Sequence, residues 1–371
     1  MHLSRRAFVA GSTAMTLSGL ALSGCATTAA RRTALSSARC LSPVNASPNR
    51  VIRTVAGLRP YRPSGYRVEA QPLGDRLVIH NYGHGGGGIS LCWGSSREAI
   101  ALGLPGHSGP VAVIGAGALG LTSARLLQEA GYAVRIYAKA LPPNTTSNIA
   151  GGQIMPASHY DPRVATGEWL ARERLAADFT RRRMQIMVGD DYGIRWLPTY
   201  DEGRLRASAE PDLAYPDRQA LPRDAHPFPS ENILRYQTMY VETGRFLASL
   251  VRDIRIAGGS IAVRDFADPG ELAALPERLI FNCTGLGSRA LFGDEELEPV
   301  RGQLAILIPQ PEIDYAFTGR PGYMFPRPDG IVLGGTFEHG EWLAEPQPDD
   351  IARIVERHRA YFDQWRCTPQ A

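Results

Sequence analysis

The clearest hydrophobic pattern in the chain is a short apolar run, residues 111–114, that leads directly into a G-x-G-x-x-G motif beginning at Gly115. Apolar residues then recur with helical spacing over residues 121–130, and another apolar run follows at residues 133–138. This order predicts a strand, a tight turn, a helix and a second strand. The glycines of such a turn let the backbone approach a diphosphate and let helix and strand pack closely. We therefore predict a dinucleotide-binding site here.

Two further apolar runs precede this unit, at residues 51–55 and 76–80, and both predict strands. Four successive glycines, residues 85–88, separate the second run from an apparent helix at residues 95–104. A flexible linker is the simpler explanation, but linkers are not flanked by a strand and an apolar segment. We therefore expect the glycine backbone to pass close to a bound group.

Downstream of the turn, the periodicity alternates between helices and strands. Helices are predicted at residues 165–188, 244–257 and 349–362, and strands at residues 192–200, 234–241, 260–266, 279–282, 299–308, 323–326 and 331–337. The arginines of the first helix indicate a solvated face. This alternation is typical of an α/β protein, and 371 residues suffice for two lobes.

The N-terminal residues predict an export signal. Residues 4–9 resemble a twin-arginine signal, and an apolar region and a bacterial lipobox ending at Cys25 follow. A transmembrane anchor is the alternative, but the apolar run is short and rich in Gly, Ser and Thr. We expect residues 1–25 to be the signal and residues 26–49 a tether. The protein would be periplasmic, held at the membrane by a lipid on Cys25.

Composition narrows the functional classes. A net charge of +3 without an aromatic and basic patch argues against nucleic-acid binding. Five cysteines without a C-x-x-C pair indicate no metal site. For His80 and His84, which lack cysteine or carboxylate partners in the sequence pattern, we expect structural hydrogen bonds.

Several motifs together resemble the D-amino-acid oxidase family. Residues 57–63 (GLRPYRP), residues 79–86 (IHNYGHGG) and the pair Trp93-Gly94 resemble the C-terminal part of that family. In the family this segment ends the chain, whereas here it precedes the glycine-rich turn. Residues 102–110 would then link the old C-terminus to the old N-terminus, so the resemblance implies a circular permutant.

The resemblance implies an α/β fold with a Rossmann-like FAD-binding lobe and a second, antiparallel-sheet substrate lobe. The expected unit spans residues 50–362, before a tail at residues 363–371. The FAD lobe is expected mainly at residues 50–60, 76–155, 258–300 and 330–340, and the substrate lobe mainly at residues 160–257 and 301–329. The residues expected to bind FAD are Gly85, Gly87, Gly88, Ile89, Ser90, Gly115, Ala116, Gly117, Leu119, Gly120, Thr145, Thr146, Ser147, Gly151, Gly152, Val263 and Gly285.

The same resemblance implies a substrate. Arg59 matches the family arginine that forms a bidentate pair with the substrate carboxylate. Tyr323 matches a tyrosine whose hydroxyl also contacts that carboxylate. Gly86 matches a glycine whose carbonyl accepts a hydrogen bond from the substrate amine. A D-amino acid would pass a hydride from Cα to flavin N5, and no side-chain base is required. The imine would hydrolyse to a 2-oxo acid and ammonia, and oxygen would become hydrogen peroxide.

Three features depart from the family. Lys139 stands where an acidic residue would bind the ribose hydroxyls, which raises NADP as an alternative, although the loop at residues 145–152 favours FAD. A second active-site tyrosine of the family falls on Gly319. The connection at residues 309–322 is short for the family's lid loop. The last two features predict a more open site with a different side-chain preference.

Several alternatives stay open from the sequence. A glycine oxidase or a quinone-linked D-amino-acid dehydrogenase would explain the same motifs, and a non-catalytic exported binding lipoprotein would keep only the fold. Arg320 or Arg327 could select an acidic substrate, although a role in solubility is simpler. The expected partners are a D-amino acid and molecular oxygen. A homodimer could form, and Cys40 could pair with Cys367.

Overall fold

The structure, a computed structural model, describes residues 40–203 and 215–366. The expected signal at residues 1–25, with Cys25, lies outside the described residues, as does Cys367. The strands are β1 (Val51–Tyr61), β2 (Arg67–Leu73), β3 (Arg76–Tyr82), β4 (Val111–Ile114), β5 (Val134–Ala138), β6 (Ile194–Asp201), β7 (Gln219–Leu221), β8 (Ile233–Val241), β9 (Ser260–Val263), β10 (Leu279–Asn282), β11 (Glu298–Leu307), β12 (Ala316–Gly319), β13 (Gly322–Arg327), β14 (Gly330–Gly334) and β15 (Glu338–His339). The helices are α1 (Gly88–Gly103), α2 (Ala118–Glu129), α3 (Thr146–Ile149), α4 (Gly167–Gln185), α5 (Thr243–Ile256), α6 (Pro269–Ala273), α7 (Gly287–Phe292) and α8 (Pro348–Phe362).

The smaller sheet has the strand order β2-β3-β10-β4-β5-β9. All of its pairings are parallel except that of β2 with β3. Every residue of β4 and β10 is buried, as expected for parallel strands with both faces covered. Helices α1, α2 and α5 pack against one face, and α6 and α7 against the other. This confirms the predicted Rossmann-like lobe.

The larger sheet has the order β1-β11-β14-β13-β12-β6-β8-β7, and β15 pairs with β11 at its side. Its pairings are antiparallel apart from that of β6 with β12. Helix α8 buries Ile351, Ile354 and Phe362 against one face, together with Leu41 and Val44 near the start of the described chain. The other face carries Leu304, Tyr323 and Phe325. This sheet forms the second lobe.

The segment before the glycine-rich turn is part of both sheets. Strand β1 pairs antiparallel with β11, with Arg59 opposite Val300. Strand β3 pairs parallel with β10, with His80 opposite Asn282. Residues 50–102 are therefore integrated into the fold, because each of these strands adds to a sheet formed by later residues.

The structure differs from the sequence-based elements in several places. Helix α1 begins at Gly88, seven residues before the predicted start at residue 95, and β2 was not predicted. Residues 50–60 and 330–340, which we assigned to the FAD lobe, contribute β1 and β14 to the larger sheet instead. Their backbone hydrogen bonds go to β11 and β13, which decides their lobe. In the described part of the chain, no helix has the length and apolarity needed to cross a membrane.

The two ends of the described chain meet. The Trp365 indole Nε1 donates to the Leu41 carbonyl at 2.9 Å, and the indole packs in the same apolar cluster as Val51 at the start of β1. Cys40 is disulfide-bonded; Cys367, which the sequence left open as a partner, lies outside the described residues. The end of α8 therefore lies beside the segment that leads into β1.

Candidate active site

A cavity of about 1240 Å³ lies between the two sheets. One wall is formed by residues that follow the carboxyl ends of β3, β4, β5, β9 and β10, and the other by residues of β1, β6, β11, β12 and β13. Ligands of parallel α/β sheets bind outside the carboxyl ends of the strands. The cavity therefore occupies the edge at which the glycine-rich motif predicts a dinucleotide.

The predicted diphosphate turn has the geometry that its glycines suggest. Gly115 follows β4 with a φ of +113°, a conformation that glycine adopts readily. Gly115, Ala116, Gly117 and Leu119 line the cavity. Gly120 does not line it, because Gly120 lies inside α2, where a Cβ atom would overlap the Gly115 carbonyl oxygen. Gly120 thus allows α2 to pack against the turn, and the amino end of α2 opens into the cavity.

The second predicted loop lies over the first turn of α2. The Ala118 amide donates to Ser147 Oγ at 3.0 Å, and Thr145 Oγ1 donates to Asn148 Oδ1 at 2.8 Å. Hydroxyl groups and bare backbone are therefore concentrated around the diphosphate position. The members of this loop that line the cavity include Thr145, Thr146, Ser147, Gly151 and Gly152, and Gly285 faces it from the loop after β10.

The glycine run is a structured helix start. A short 3-10 turn, Gly85–Gly87, leads directly into α1. The Gly86 amide donates to Ser158 O at 3.0 Å, and a Cβ atom at Gly86 would overlap the Ala157 carbonyl oxygen. Gly87 and Ser90 were also predicted to contact FAD, but both face the protein interior. There, Ser90 Oγ donates to Gln153 O at 3.2 Å. The run members that line the cavity are Gly85, Gly86 and Gly88, followed by Ile89.

The ribose end of the cavity carries an ion pair. Lys139, directly after β5, places Nζ 2.8 Å from Oδ2 of Asp265, and the lysine holds the pKa of the Asp265 carboxyl below its usual range. Both residues and Arg264 line the cavity. Val263, which we expected to bind FAD, is 70% exposed and does not line it, because the cavity begins one residue later. A carboxylate therefore reaches the ribose end from β9 instead of β5.

The other end of the cavity carries a guanidinium group. Arg59 Nη1 donates to the Thr336 carbonyl at 3.3 Å, and the guanidinium lies 5.5 Å from the centre of the Phe337 ring. A Cβ atom at Gly302 would overlap the guanidinium, so this glycine makes room for it. Among the residues that the structure describes, no carboxylate forms an ion pair with Arg59. A charge held by carbonyls and an aromatic ring is suited to an anionic ligand.

Tyr323 faces the same end. Its hydroxyl is hydrogen-bonded to Arg59, and burial raises the pKa of Tyr323 although the guanidinium opposes that shift. The phenol is therefore protonated at neutral pH and can donate a hydrogen bond. Its ring stacks on Phe325 with ring centres 4.6 Å apart, which fixes its direction. Arg59, Tyr323 and Gly86 thus converge on one cavity, as the sequence predicts.

The two arginines considered for selecting an acidic substrate lie outside the cavity lining. Arg320 pairs with Glu202 at 3.3 Å and is largely exposed. Arg327 pairs with Asp329 at 2.6 Å. Gly319 also lies outside the lining, beside Glu202. Both arginines are therefore engaged by carboxylates of the chain itself.

The histidines and the buried thiol have structural roles. His80 Nε2 lies 2.9 Å from Gln71 Oε1, and His84 Nε2 lies 2.8 Å from Ser95 Oγ. Burial lowers the pKa of His80 to about 4 and that of His84 to about 3, so both rings are neutral at pH 7. Burial raises the pKa of the Cys283 thiol to about 12, which makes it a packing residue. Within residues 40–203 and 215–366, no cluster of His, Cys, Asp and Glu is suited to a metal.

The cavity fits FAD in its chemistry. The amino end of α2 and the hydroxyl-rich loop face the diphosphate position, and buried polar atoms without hydrogen-bond partners in the described chain, His84 Nδ1 and Asn81 Oδ1, line the cavity near the glycine run. Sequence reasoning missed Asp265, Asp201 and Thr318 as lining residues. Asp201 ends β6, Thr318 lies near the end of β12, and Asp265 follows β9 by two residues. Their positions at the carboxyl ends of strands were the available signal.

Comparison with known proteins agrees with this geometry. The sequence profile of the DAO family, described as FAD dependent oxidoreductase, matches residues 110–370. A D-amino-acid oxidase of Streptomyces coelicolor is 31% identical over 268 residues, covering 68% of this chain and 77% of that protein. The human D-aspartate oxidase is 27% identical over 256 residues, covering 67% of this chain and 74% of that protein.

Solved structures share the fold. The glycine oxidase of Bacillus cereus superposes with a TM-score of 0.51 at 20% identity, covering 69% of this chain and 78% of that chain. The iminodiacetate oxidase of Chelativorans superposes with a TM-score of 0.54 at 16% identity, covering 68% of this chain and 79% of that chain. With the profile match over most of its length, the chain belongs to the DAO family of FAD dependent oxidoreductases.

Proposed function

We propose that this protein oxidises D-amino acids to 2-oxo acids, ammonia and hydrogen peroxide. The observation that carries the proposal is the convergence of Arg59, Tyr323 and Gly86 on the cavity that also holds the FAD-binding loops. The enzyme uses FAD, as its family does. The substrate class comes from relatives named as D-amino-acid and D-aspartate oxidases.

The residues of the chain mainly bind and orient the substrate. The Arg59 guanidinium pairs with the α-carboxylate, because no carboxylate of the described chain already occupies it, and the Tyr323 hydroxyl donates to the same group. The Gly86 carbonyl accepts from the substrate amine. These contacts hold the carboxylate and the amine, so the two enantiomers differ in whether the hydrogen or the side chain faces the flavin, and only the one that presents its hydrogen can react.

When held by the loops at residues 115–119 and 145–152, FAD would supply the two-electron redox chemistry, with oxygen as the final acceptor. The substrate amine loses a proton to water, and the resulting imine hydrolyses after release. Neutral His84 and protonated Tyr323 both line the cavity, and neither has to act as a base. Catalysis therefore depends on orientation and on exclusion of water.

The proposal requires a permuted order of the family chain. The family profile begins at residue 110, so Arg59 and Gly86 come from the segment before the matched region. That segment supplies β1 and β3 and lines the same cavity as the glycine-rich turn. We propose that it corresponds to the C-terminal part of the family chain, moved to the front of this one.

Steady-state assays with D- and L-amino acids test the function. We expect D-enantiomers to yield equal amounts of 2-oxo acid and hydrogen peroxide, while L-enantiomers yield neither. If product forms only when an artificial electron acceptor is added, the protein is a dehydrogenase. If glycine is preferred to every D-amino acid, it is a glycine oxidase. If the pure, flavin-loaded protein gives no product with either, the catalytic proposal fails.

A further inference from the structure

The chain just before β1 packs against the last elements of the molecule. We expected residues 26–49 to form a tether, yet Leu41, Val44 and Ala46 are only 4%, 3% and 2% exposed. All three pack in one apolar cluster with buried residues of α8. Residues 40–47, which we call the N-terminal arm, form neither helix nor strand. Side-chain contacts therefore make this part of the expected tether a part of the fold.

Hydrogen bonds tie the N-terminal arm to residues far along the chain. The Trp365 indole Nε1 donates to the Leu41 carbonyl at 2.9 Å. The Asn45 amide donates to Gln310 Oε1 at 2.8 Å, and Gln310 Nε2 donates back to the Asn45 carbonyl at 3.2 Å. Each of these bonds joins residues at least 265 positions apart. Because chain ends detach unless they are tied down, the arm stays in place only while such contacts hold.

Cys40, the first residue of the N-terminal arm, is disulfide-bonded. The sequence has five cysteines, and Cys92 and Cys283 are buried free thiols. Within one chain, the partner of Cys40 is therefore Cys25 or Cys367, both of which lie outside the described residues. We expected Cys25 to carry a lipid on its sulfur, which would leave Cys367 for the bond.

Chain connectivity keeps Cys367 close to the N-terminal arm. Cys367 follows Trp365 by two residues, and two residues span at most about 7 Å. The Trp365 side chain in turn contacts Leu41, the residue directly after Cys40. A disulfide joins residues whose Cα atoms are about 4.4–6.8 Å apart, which this spacing permits. A bond to Cys25 would make no use of this proximity.

We propose that a disulfide between Cys40 and Cys367 fastens the two ends of the permuted chain. In the family order the chain would run from the end of α8 toward β1, and here the disulfide takes the place of that covalent connection. Two thiols form the bond by exchange with an oxidised disulfide, which accepts two electrons and two protons and leaves as two thiols. Exported compartments keep such oxidants, and the expected signal at residues 1–25 would deliver the chain there. Neither the pairing nor its effect depends on the proposed catalytic activity.

The first test maps the disulfide in the full-length wild-type holoenzyme after oxidation with glutathione disulfide. Free thiols of the denatured protein are alkylated, the protein is digested without reduction, and the peptides are identified by mass spectrometry. We expect one cross-linked pair that contains Cys40 and Cys367, with Cys92 and Cys283 alkylated. A bond from Cys40 to Cys25, to glutathione or to a second chain would overturn the proposal, and so would an alkylated Cys40.

The second test compares the midpoints of thermal unfolding. Cys40→Ser and Cys367→Ser should each lower the midpoint by about 3–10 °C, because the bond constrains nearly the whole unfolded chain. The double variant should lose no more than either single variant. Cys25→Ser is the matched control and should keep the wild-type midpoint, and dithiothreitol should lower the midpoint only in the wild type and in this control. If Cys25→Ser reproduces the loss of Cys40→Ser, or if Cys367→Ser causes no loss, the proposal is wrong.

Discussion

Arg59 is positioned by groups that leave its charge available. It donates to the Thr336 carbonyl and lies over Phe337, and the absence of a Cβ atom at Gly302 gives the guanidinium space. Carbonyls satisfy N–H groups without neutralising the cation, so the group is ready for a substrate carboxylate. The planar fork also fixes the direction of that carboxylate, which an ammonium does not do.

Arg59→Lys should therefore separate substrate binding from cofactor binding. We expect FAD to stay bound and kcat/KM for D-amino acids to fall by about 2–3 kcal/mol of transition-state binding or more, because a charge-assisted bidentate pair is lost. Flavin absorbance and steady-state kinetics measure the two effects. A mutant that keeps wild-type activity would show that the carboxylate binds elsewhere.

His84 should make stability fall in mild acid. Burial lowers its pKa in the folded protein to about 3, against about 6.5 when unfolded, so the unfolded chain binds a proton that the folded chain refuses. Stability is therefore lost as pH falls below about 6.5, by about 2–3 kcal/mol at pH 4.5 from this group. Urea unfolding at the two pH values measures the loss, and His84→Gln should reduce it by that amount. An identical pH dependence in the variant would show that His84 is protonated in the folded state.

At the scale of elements, the ribose end depends on two neighbouring parallel strands. Strand β5 ends before Lys139, and β9 ends before Arg264 and Asp265. Because Ala138 of β5 is opposite Val263 of β9, the side chains of Lys139 and Asp265 meet. The sequence shows only that the usual acidic position holds a lysine. The pairing of β5 with β9 shows that a carboxylate is nonetheless present, supplied about 125 residues later in the chain.

We predict that Asp265 accepts hydrogen bonds from the ribose hydroxyls and that Lys139 only orients it. Asp265→Asn should weaken FAD binding about tenfold, whereas Lys139→Ala should have a smaller effect. Flavin fluorescence on titration of the apoprotein measures both dissociation constants. The reverse order, with the lysine variant weaker, would indicate that Lys139 contacts a phosphate.

An element can be predicted from the sequence where residues close together in the chain specify it. The unit of β4, the Gly115 turn and α2 was predicted because apolar runs and glycines specify it within twenty residues. The start of α1 at Gly88 was missed because glycine has a poor helix propensity, and tertiary packing overrides that preference. Asp201 was missed because only the register of β6, β12 and β13 brings it to the cavity.

At the scale of the whole molecule, the two ends of the described chain lie next to each other, as they would in a permuted chain. Arg59 and Gly86 reach the cavity through β1 and β3, whose partner strands β11 and β10 lie about 200 residues or more away. No local pattern predicts those pairings; the resemblance to a family predicted only that Arg59, Gly86 and Tyr323 meet at one pocket. The contact of Trp365 with Leu41 places the end of α8 next to the segment before β1, where the family chain would continue.

Rearranging the chain into the proposed family order of segments should therefore preserve its fold, its FAD binding and its activity. A variant that starts at residue 110, joins residue 366 to residue 41 through a short linker and ends at residue 103 should fold, bind FAD and keep wild-type kcat/KM, because domains with adjacent ends tolerate such changes. Circular dichroism, bound flavin and kinetics check this. An insoluble or flavin-free product, beside a soluble wild-type control, would count against the permuted arrangement.

The most direct test of the account is reduction of the bound flavin without oxygen. Purified holoenzyme is mixed anaerobically with single enantiomers, and the visible flavin absorbance is followed. The account predicts that D-amino acids bleach the flavin completely, that L-amino acids do not, and that Arg59→Lys slows bleaching by every D-enantiomer. Bleaching by L-enantiomers, or no bleaching by any amino acid while dithionite still reduces the flavin, would contradict it.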